Sequence, residues 1–274
     1  MSFPQQNVLF RIAAVFSVLT LAIFLLFSRK LFPVFSGLTA VSSRRAAPAM
    51  AAIFKQVNTA SPFWALTVAL IFAALTLICI LYFFEHTPSP EIHYFGLFAF
   101  SFTFEAFRAA LALQFLRLFS PFLLMIACRA LIFFRFWALA ALLAAGLFAA
   151  GFKPQRENSL LLPFTIVALI VACRIPLDIY SFNSALSPVL GFSRIFAVVE
   201  LALALTACVS FFVGAYQRGI KEYAPAGAGV IMLAIGRNIL QNADVLPMIL
   251  LALAMLIGGL YLFCANVRKI YMWL

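Results

Sequence analysis

Among the ionisable side chains within or beside long apolar runs of this chain, eight stand out: Glu105, Arg108, Arg129, Arg135, Arg174, Asp178, Glu200 and Arg237. An ionisable group in lipid costs about 2.5–3.5 kcal/mol on insertion scales and turns toward the bundle interior. Any chemistry in this chain starts from these residues. Five of the eight are arginine and three are carboxylates. A guanidinium does not deprotonate, and its planar fork suits carboxylate and phosphate, so the excess of positive charge points to an anionic partner. Ser101, Glu105 and Arg108 fall at i, i+4 and i+7, one polar stripe on a Phe-rich helix, and Arg174 and Asp178 form an i,i+4 pair. Arg129 and Arg135, six residues apart, fall on different faces. Arg237, Gln241 and Asp244 make another stripe, with Asn238 and Asn242 beside it. The expected ligand-binding set is Arg129, Arg135, Arg174, Arg237 and Asn238, with Glu105, Arg108, Asp178 and Glu200 as internal counter-charges. A simpler reading pairs Glu105 with Arg108 and Arg174 with Asp178, lets Arg129 and Arg135 snorkel to the headgroups, and leaves only helix packing.

A second group of chemistry-bearing residues is Glu85, His86, Glu91 and His93. Two imidazoles and two carboxylates so close together are candidates for a divalent metal or a pH-sensitive loop. Their spacing matches no standard metal site, and Pro88 and Pro90 restrict how the four converge, so a solvated loop is the simpler reading.

Residue types exclude several other chemistries. The chain has 2 His, both in this one region, so haem held between paired histidines and serine–histidine or zinc hydrolysis have no ligands within the bundle. The stretch Glu105-Ala-Phe-Arg108 resembles the Glu/Arg motif of CAAX-type intramembrane proteases. That family also uses histidines on other helices, which this chain lacks. The aspartates, Asp178 and Asp244, form no Asp-rich motif for metal-dependent prenyl or phosphatidyl transfer. Lysines occur at 30, 55, 153, 221 and 269, all in loops or tails, leaving no amine within a span for a Schiff base. The 5 Cys show no C-x-x-C spacing and read as small packing residues. The expectation is a non-enzymatic protein without a cofactor.

The elements that position these groups follow from composition. Of 274 residues, 66% are hydrophobic and 10% charged, against roughly 45–50% and about 25% in a soluble domain. Lipid is therefore the solvent for most of the chain. Apolar runs of membrane width cover Val8–Ser28, Phe63–Phe84, Ile92–Leu116, Leu131–Phe152, Leu160–Tyr180, Phe192–Ala215 and Val245–Ala265. Only helices satisfy the backbone there. The expected fold is all-α, a polytopic integral membrane bundle of seven clear transmembrane helices plus a marginal eighth over about 225–243. The first run is too long for a signal peptide and lacks a basic flank, so it reads as an uncleaved span. Residues 1–274 form a single transmembrane domain. The basic connecting loop, about 29–62, is shorter than the roughly 40 residues below which a domain rarely folds unaided. Four Ser-Pro dipeptides, at Ser61, Ser89, Ser120 and Ser187, read as helix starts, and Asp244 as a further cap.

Short loops rich in Lys and Arg favour the cytoplasmic side. Placing the first loop inside puts the N-terminus outside, in a plasma or inner membrane, with the net charge of +11 facing anionic headgroups. No basic domain exists to hold nucleic acid. The tail Ile270–Leu274 reads as an interfacial anchor. Function then falls to binding or transport of an anionic or lipid-like ligand. The alternatives are a seven-helix receptor acting through a partner chain and an assembly or scaffold subunit of a membrane complex.

Overall fold

The computed structural model describes residues 3–43, 61–84, 89–109, 120–152, 160–183 and 185–272, with the side chains of 3–6, 36–43, 178–182 and 272 outside the description. The chain folds as helices α1 (Phe3–Ser43), α2 (Ser61–Phe84) and α3 (Pro90–Ser101), the last tightening into a 3-10 turn over Phe102–Ala106. Helices α4 (Pro121–Ala149) and α5 (Leu161–Arg174) follow, then strands β1 (Leu177–Phe182) and β2 (Pro188–Leu190). Helices α6 (Ser193–Arg218), α7 (Tyr223–Gln241) and α8 (Leu246–Met272) complete it. This is an all-α polytopic membrane bundle carrying one antiparallel hairpin.

Among the described residues six helices are long and apolar enough to cross a membrane: α1, α2, α4, α6, α7 and α8. Five of the seven expected clear spans are described as long apolar helices, and the marginal eighth is the sixth. The marginal segment is a 19-residue helix, α7, and stands among the six although its hydropathy of 1.2 is the lowest of them. Two expected spans are not single long helices. In Ile92–Leu116, α3 gives way to the 3-10 turn after Ser101, and residues 110–119 lie outside the described set. In Leu160–Tyr180 the helix stops at Arg174. Helix α1 runs on through Arg29, Lys30 and Pro33 to Ser43, into the stretch expected as the basic loop, and residues 44–60 lie outside the described set.

Helix α7 owes its place to close packing more than to hydropathy. A Cβ at Gly229 would meet Gly259 O at 2.9 Å, and one at Gly259 would meet Gly229 O at 2.8 Å. Only glycine lets the α7 and α8 backbones come this near, which is how membrane helices associate without a hydrophobic force between them. Phe95, Phe98, Phe102, Leu233, Leu256 and Phe263 fill the core they share with α3. The outer faces are apolar and exposed, as on α6 at Ile195, Val198, Leu201, Leu205 and Val209, the pattern of a lipid-facing helix.

Two ends of the bundle can be told apart by side-chain contacts. At one end Glu91, in the first turn of α3, meets Tyr223 at the start of α7 and Tyr271 near the end of α8. At the other end Ser61, opening α2, donates to Asp244 O in the α7–α8 connection at 2.5 Å. Phe10 lies against His93, so α1 starts at the Glu91 end, where α8 finishes.

The Ser-Pro signals resolve one by one. Ser89 and Ser120 cap α3 and α4, accepting from Ile92 N at 3.3 Å and Leu123 N at 3.4 Å. Ser187-Pro188 opens a strand instead of a helix. Asp244 Oδ1 is buried without a hydrogen-bond partner, so that oxygen makes no cap for α8.

Candidate functional site

The site begins where α5 ends. Pro176 disfavours helical geometry at the residue before it, and Ile175 is extended, with ψ 126. Fourteen helical residues reach about 21 Å, short of a hydrocarbon core of about 30 Å. The remaining path is taken by the β1–β2 hairpin. Its register pairs Leu177 with Leu190 and Asp178 with Val189, and is irregular before Phe182 pairs with Pro188. The tip is tied by Asn183 N to Ser187 O at 3.1 Å and by Ser187 N to Asn183 Oδ1 at 2.8 Å. Leu186 there has φ 53.

That tip is buried within the bundle. Ala185, Leu186 and Ser187 are at most 3% exposed, and Leu186 packs with Phe24, Phe35 and Phe63 from α1 and α2. Arg108 Nη2 donates to Ala185 O, and Arg135 Nη2 donates to Ser187 Oγ at 3.1 Å. Arg135 lies midway along the 29 residues of α4, about 21 Å from its start. The hairpin therefore re-enters to the level of the middle of α4. Non-helical backbone is tolerated at membrane depth only when protein covers it or when it lines a cavity, and this hairpin does both.

Glu105 collects the charges around the tip. Its carboxylate accepts both arms of the Arg135 fork, Nε to Oε1 and Nη2 to Oε2, each at 2.9 Å. Gln241 Nε2 donates to Oε1 at 2.9 Å, and Arg108 Nη1 stands 3.7 Å from Oε2. Arg237 Nη2 donates to the backbone carbonyl of Arg135. Glu105, Arg108 and Arg237 are all buried, and Arg108 Nε has no hydrogen-bond partner. A bidentate arginine–carboxylate pair is strong and directional, yet one buried carboxylate here serves two guanidiniums directly and sits near a third.

A chamber of about 400 Å³ opens beside this cluster, between the hairpin, α4, α6 and α7. Arg135, Asn183, Ser187, Glu200, Asn238, Gln241 and Asn242 supply its polar wall. A second space of about 330 Å³ adjoins it between α4, α6 and α7, lined by Arg237 and by apolar residues such as Leu139, Leu201 and Ile239. Both volumes fall in the ordinary range for ligand pockets.

The candidates named from sequence thus separate into three groups. Arg135, Arg237, Asn238, Glu105, Arg108 and Glu200 come together at the hairpin tip and its chambers. Arg129 and Arg174 do not line them. Arg129 Nη1 donates to Ala172 O at 2.8 Å and also to Cys173 O, closing the C-terminal end of α5, where a cation also suits the helix dipole. Arg174 is exposed at the end of α5. The helical i,i+4 pairing of Arg174 with Asp178 fails because Asp178 belongs to β1, and its side chain lies outside the described residues. Ser101 leaves the expected polar stripe, donating to Phe98 O at 2.6 Å.

The histidine-containing segment divides as well. Glu85 and His86 lie outside the described residues. Glu91 is only 1% exposed and is held by hydroxyls: Ser89 Oγ at 3.0 Å, Tyr223 OH at 3.0 Å and Tyr271 OH at 2.6 Å. Arg218 backs this knot, donating to Tyr223 OH at 3.2 Å and to Phe148 O at 2.8 Å. His93 is buried against Phe10 and Tyr94, and its Nδ1 has no hydrogen-bond partner. Among the described residues no three His, Cys, Asp or Glu are grouped to hold a metal ion. Tyr271 is a buried-carboxylate donor more than an interfacial anchor. Nothing in its local sequence separates the two roles, and the part played by Ser187 is hidden by its Ser-Pro context.

No protein-family model matches the chain, and neither do the curated proteins or the solved structures compared with it.

Proposed function

We propose that this multi-pass membrane protein binds an anionic or lipid-like ligand in the hairpin-end chamber and, in the fuller form of the reading, transports it. The supporting observation is the setting of Arg135. It lies on the chamber wall, on α4 beside Arg237's α7 turn, among amide and hydroxyl groups and against the re-entrant hairpin, an element of the kind that builds midplane sites in transporters. Glu105 fixes the Arg135 fork from behind, so the guanidinium is oriented before any ligand arrives. Binding of this kind needs no catalytic group and no cofactor.

The proposal keeps the first loop on the cytoplasmic side and the N-terminus outside. Arg194, at the start of α6, then meets anionic headgroups, while Arg44, Arg45, Lys55 and Arg117 lie outside the described residues. Because α1 starts where α8 finishes, Arg268 and Lys269 fall on the opposite side, and the charge bias is slight.

Mass spectrometry of the protein purified in mild detergent tests the reading. A stoichiometric anionic compound is expected on the wild type and absent from Arg237→Gln. A stoichiometric protein partner in its place would move the reading to a receptor or an assembly subunit. A ligand retained by Arg237→Gln would overturn the assignment of the site.

A further inference from the structure

The two chambers share three residues, Ala197, Glu200 and Asn238, so they form one continuous space with unlike halves. The half next to Arg135 is polar. The other, between α6 and α7, is walled chiefly by aliphatic side chains, with Arg237 among them. Leu201 is 60% exposed and Ile235 43% exposed, and Ala197 and Asn238 are exposed too. The gap between α6 and α7 is therefore open sideways, on a face where the neighbouring α6 side chains are those of a lipid-facing helix.

We infer that the ligand is an amphiphile drawn from the bilayer, its anionic head beside Arg135 and its hydrocarbon chain in the α6–α7 groove. The inference rests on the ligand-binding reading above and names the substrate class. A water-soluble anion would use the polar half and leave the apolar half without an occupant. It would also leave Glu200 and Asn238 at the threshold facing lipid, where polar groups are costly. A headgroup lying across that threshold covers both. Arg135 in the polar half and Arg237 in the other, with Glu200 at the threshold they share, suit a phosphate diester that also carries a hydrogen-bond donor, an ammonium or a hydroxyl, for Glu200. A phospholipid with an amine or polyol head has this chemistry.

Binding to the full-length protein in detergent, measured by thermal shift and by native mass spectrometry, separates the cases. The probes are a dioleoyl phosphatidylethanolamine, a dioleoyl phosphatidylglycerol and their deacylated, water-soluble heads. At least one lipid is expected to bind, with its deacylated head at least tenfold weaker. Ala204→Trp, which fills the groove away from Arg135, is expected to weaken lipid binding at least tenfold, and Leu201→Trp on the exposed rim provides a second variant if Ala204→Trp folds poorly. Equal binding of a lipid and its deacylated head, unaffected by either tryptophan, would overturn this inference and leave the anion site standing. No binding of any probe, with no co-purifying anion, would overturn both.

Discussion

Among the described residues two glutamates are buried in this bundle, Glu91 at one end and Glu105 at the level of the middle of α4, and they are satisfied in opposite ways. Glu105 is 3% exposed and faces charged donors: the Arg135 fork, Arg108, and the amide of Gln241. Glu91 is 1% exposed and accepts from three hydroxyls, with Arg218 one step behind Tyr223. The Glu105 cluster borders a chamber of about 400 Å³ and carries more positive charge than its carboxylate neutralises. The Glu91 knot joins α3, α7 and α8 directly, and Arg218 extends it to Phe148 O on α4. A carboxylate tied by neutral groups from several helices is a clamp. One that orients guanidiniums beside a cavity suits the proposed binding surface.

The difference has measurable consequences. Glu105→Ala is expected to have the largest effect, because it strips Arg135 and Arg108 of their buried counter-charge. Leaving an uncompensated buried charge costs about 3–5 kcal/mol, read as a lowered Tm in detergent. The paired variant Glu105→Gln with Arg135→Gln should recover much of that loss while leaving ligand binding abolished. Glu91→Gln is expected to cost less, about 1–3 kcal/mol, since its partners are neutral hydroxyls left imperfectly satisfied. If Glu91→Gln proved more damaging than Glu105→Ala, the contrast between the two glutamates would collapse. Gly259→Leu forces α7 away from α8 and should cost about 1–3 kcal/mol, with chamber binding weakened because Arg237 and Asn238 ride on α7. Tyr271→Phe removes one donor from Glu91 and should cost about 0.5–1.5 kcal/mol with binding intact. Arg129→Ala, which uncovers the end of α5, is the smallest of the set at about 0.3–1 kcal/mol.

Much of this organisation is legible in the amino-acid sequence. The solvent, the helical class and the caps at Ser89 and Ser120 follow from composition and from two short motifs. The inward turn of Glu105, Arg135 and Arg237 follows from the cost of charge in lipid, but the same rule also groups Arg129 and Arg174 with them, and these instead sit at the end of α5. The hairpin is harder to see. In Leu160–Tyr180 nearly every residue is apolar, so neither a period of 3.6 nor a period of 2 marks the change from helix to strand. The signal is Pro176 alone, late in a run long enough to hide it. Helix α7 is obscured for a related reason. Hydropathy measures contact with lipid, whereas Gly229 and Gly259 bring α7 against α8 and remove much of it from lipid. Tyr271 shows the same limit from the other side: its ring suits a headgroup region, and only tertiary structure reveals Glu91 beneath its hydroxyl.

The most direct test compares ligand occupancy and Tm in parallel for the wild type, Arg237→Gln and Tyr271→Phe, each purified identically and analysed by native mass spectrometry. The account predicts that Arg237→Gln loses the bound ligand while remaining a folded bundle, and that Tyr271→Phe keeps the ligand with a lower Tm. Loss of ligand from Tyr271→Phe together with full retention by Arg237→Gln would contradict it, placing the binding surface at the Glu91 end.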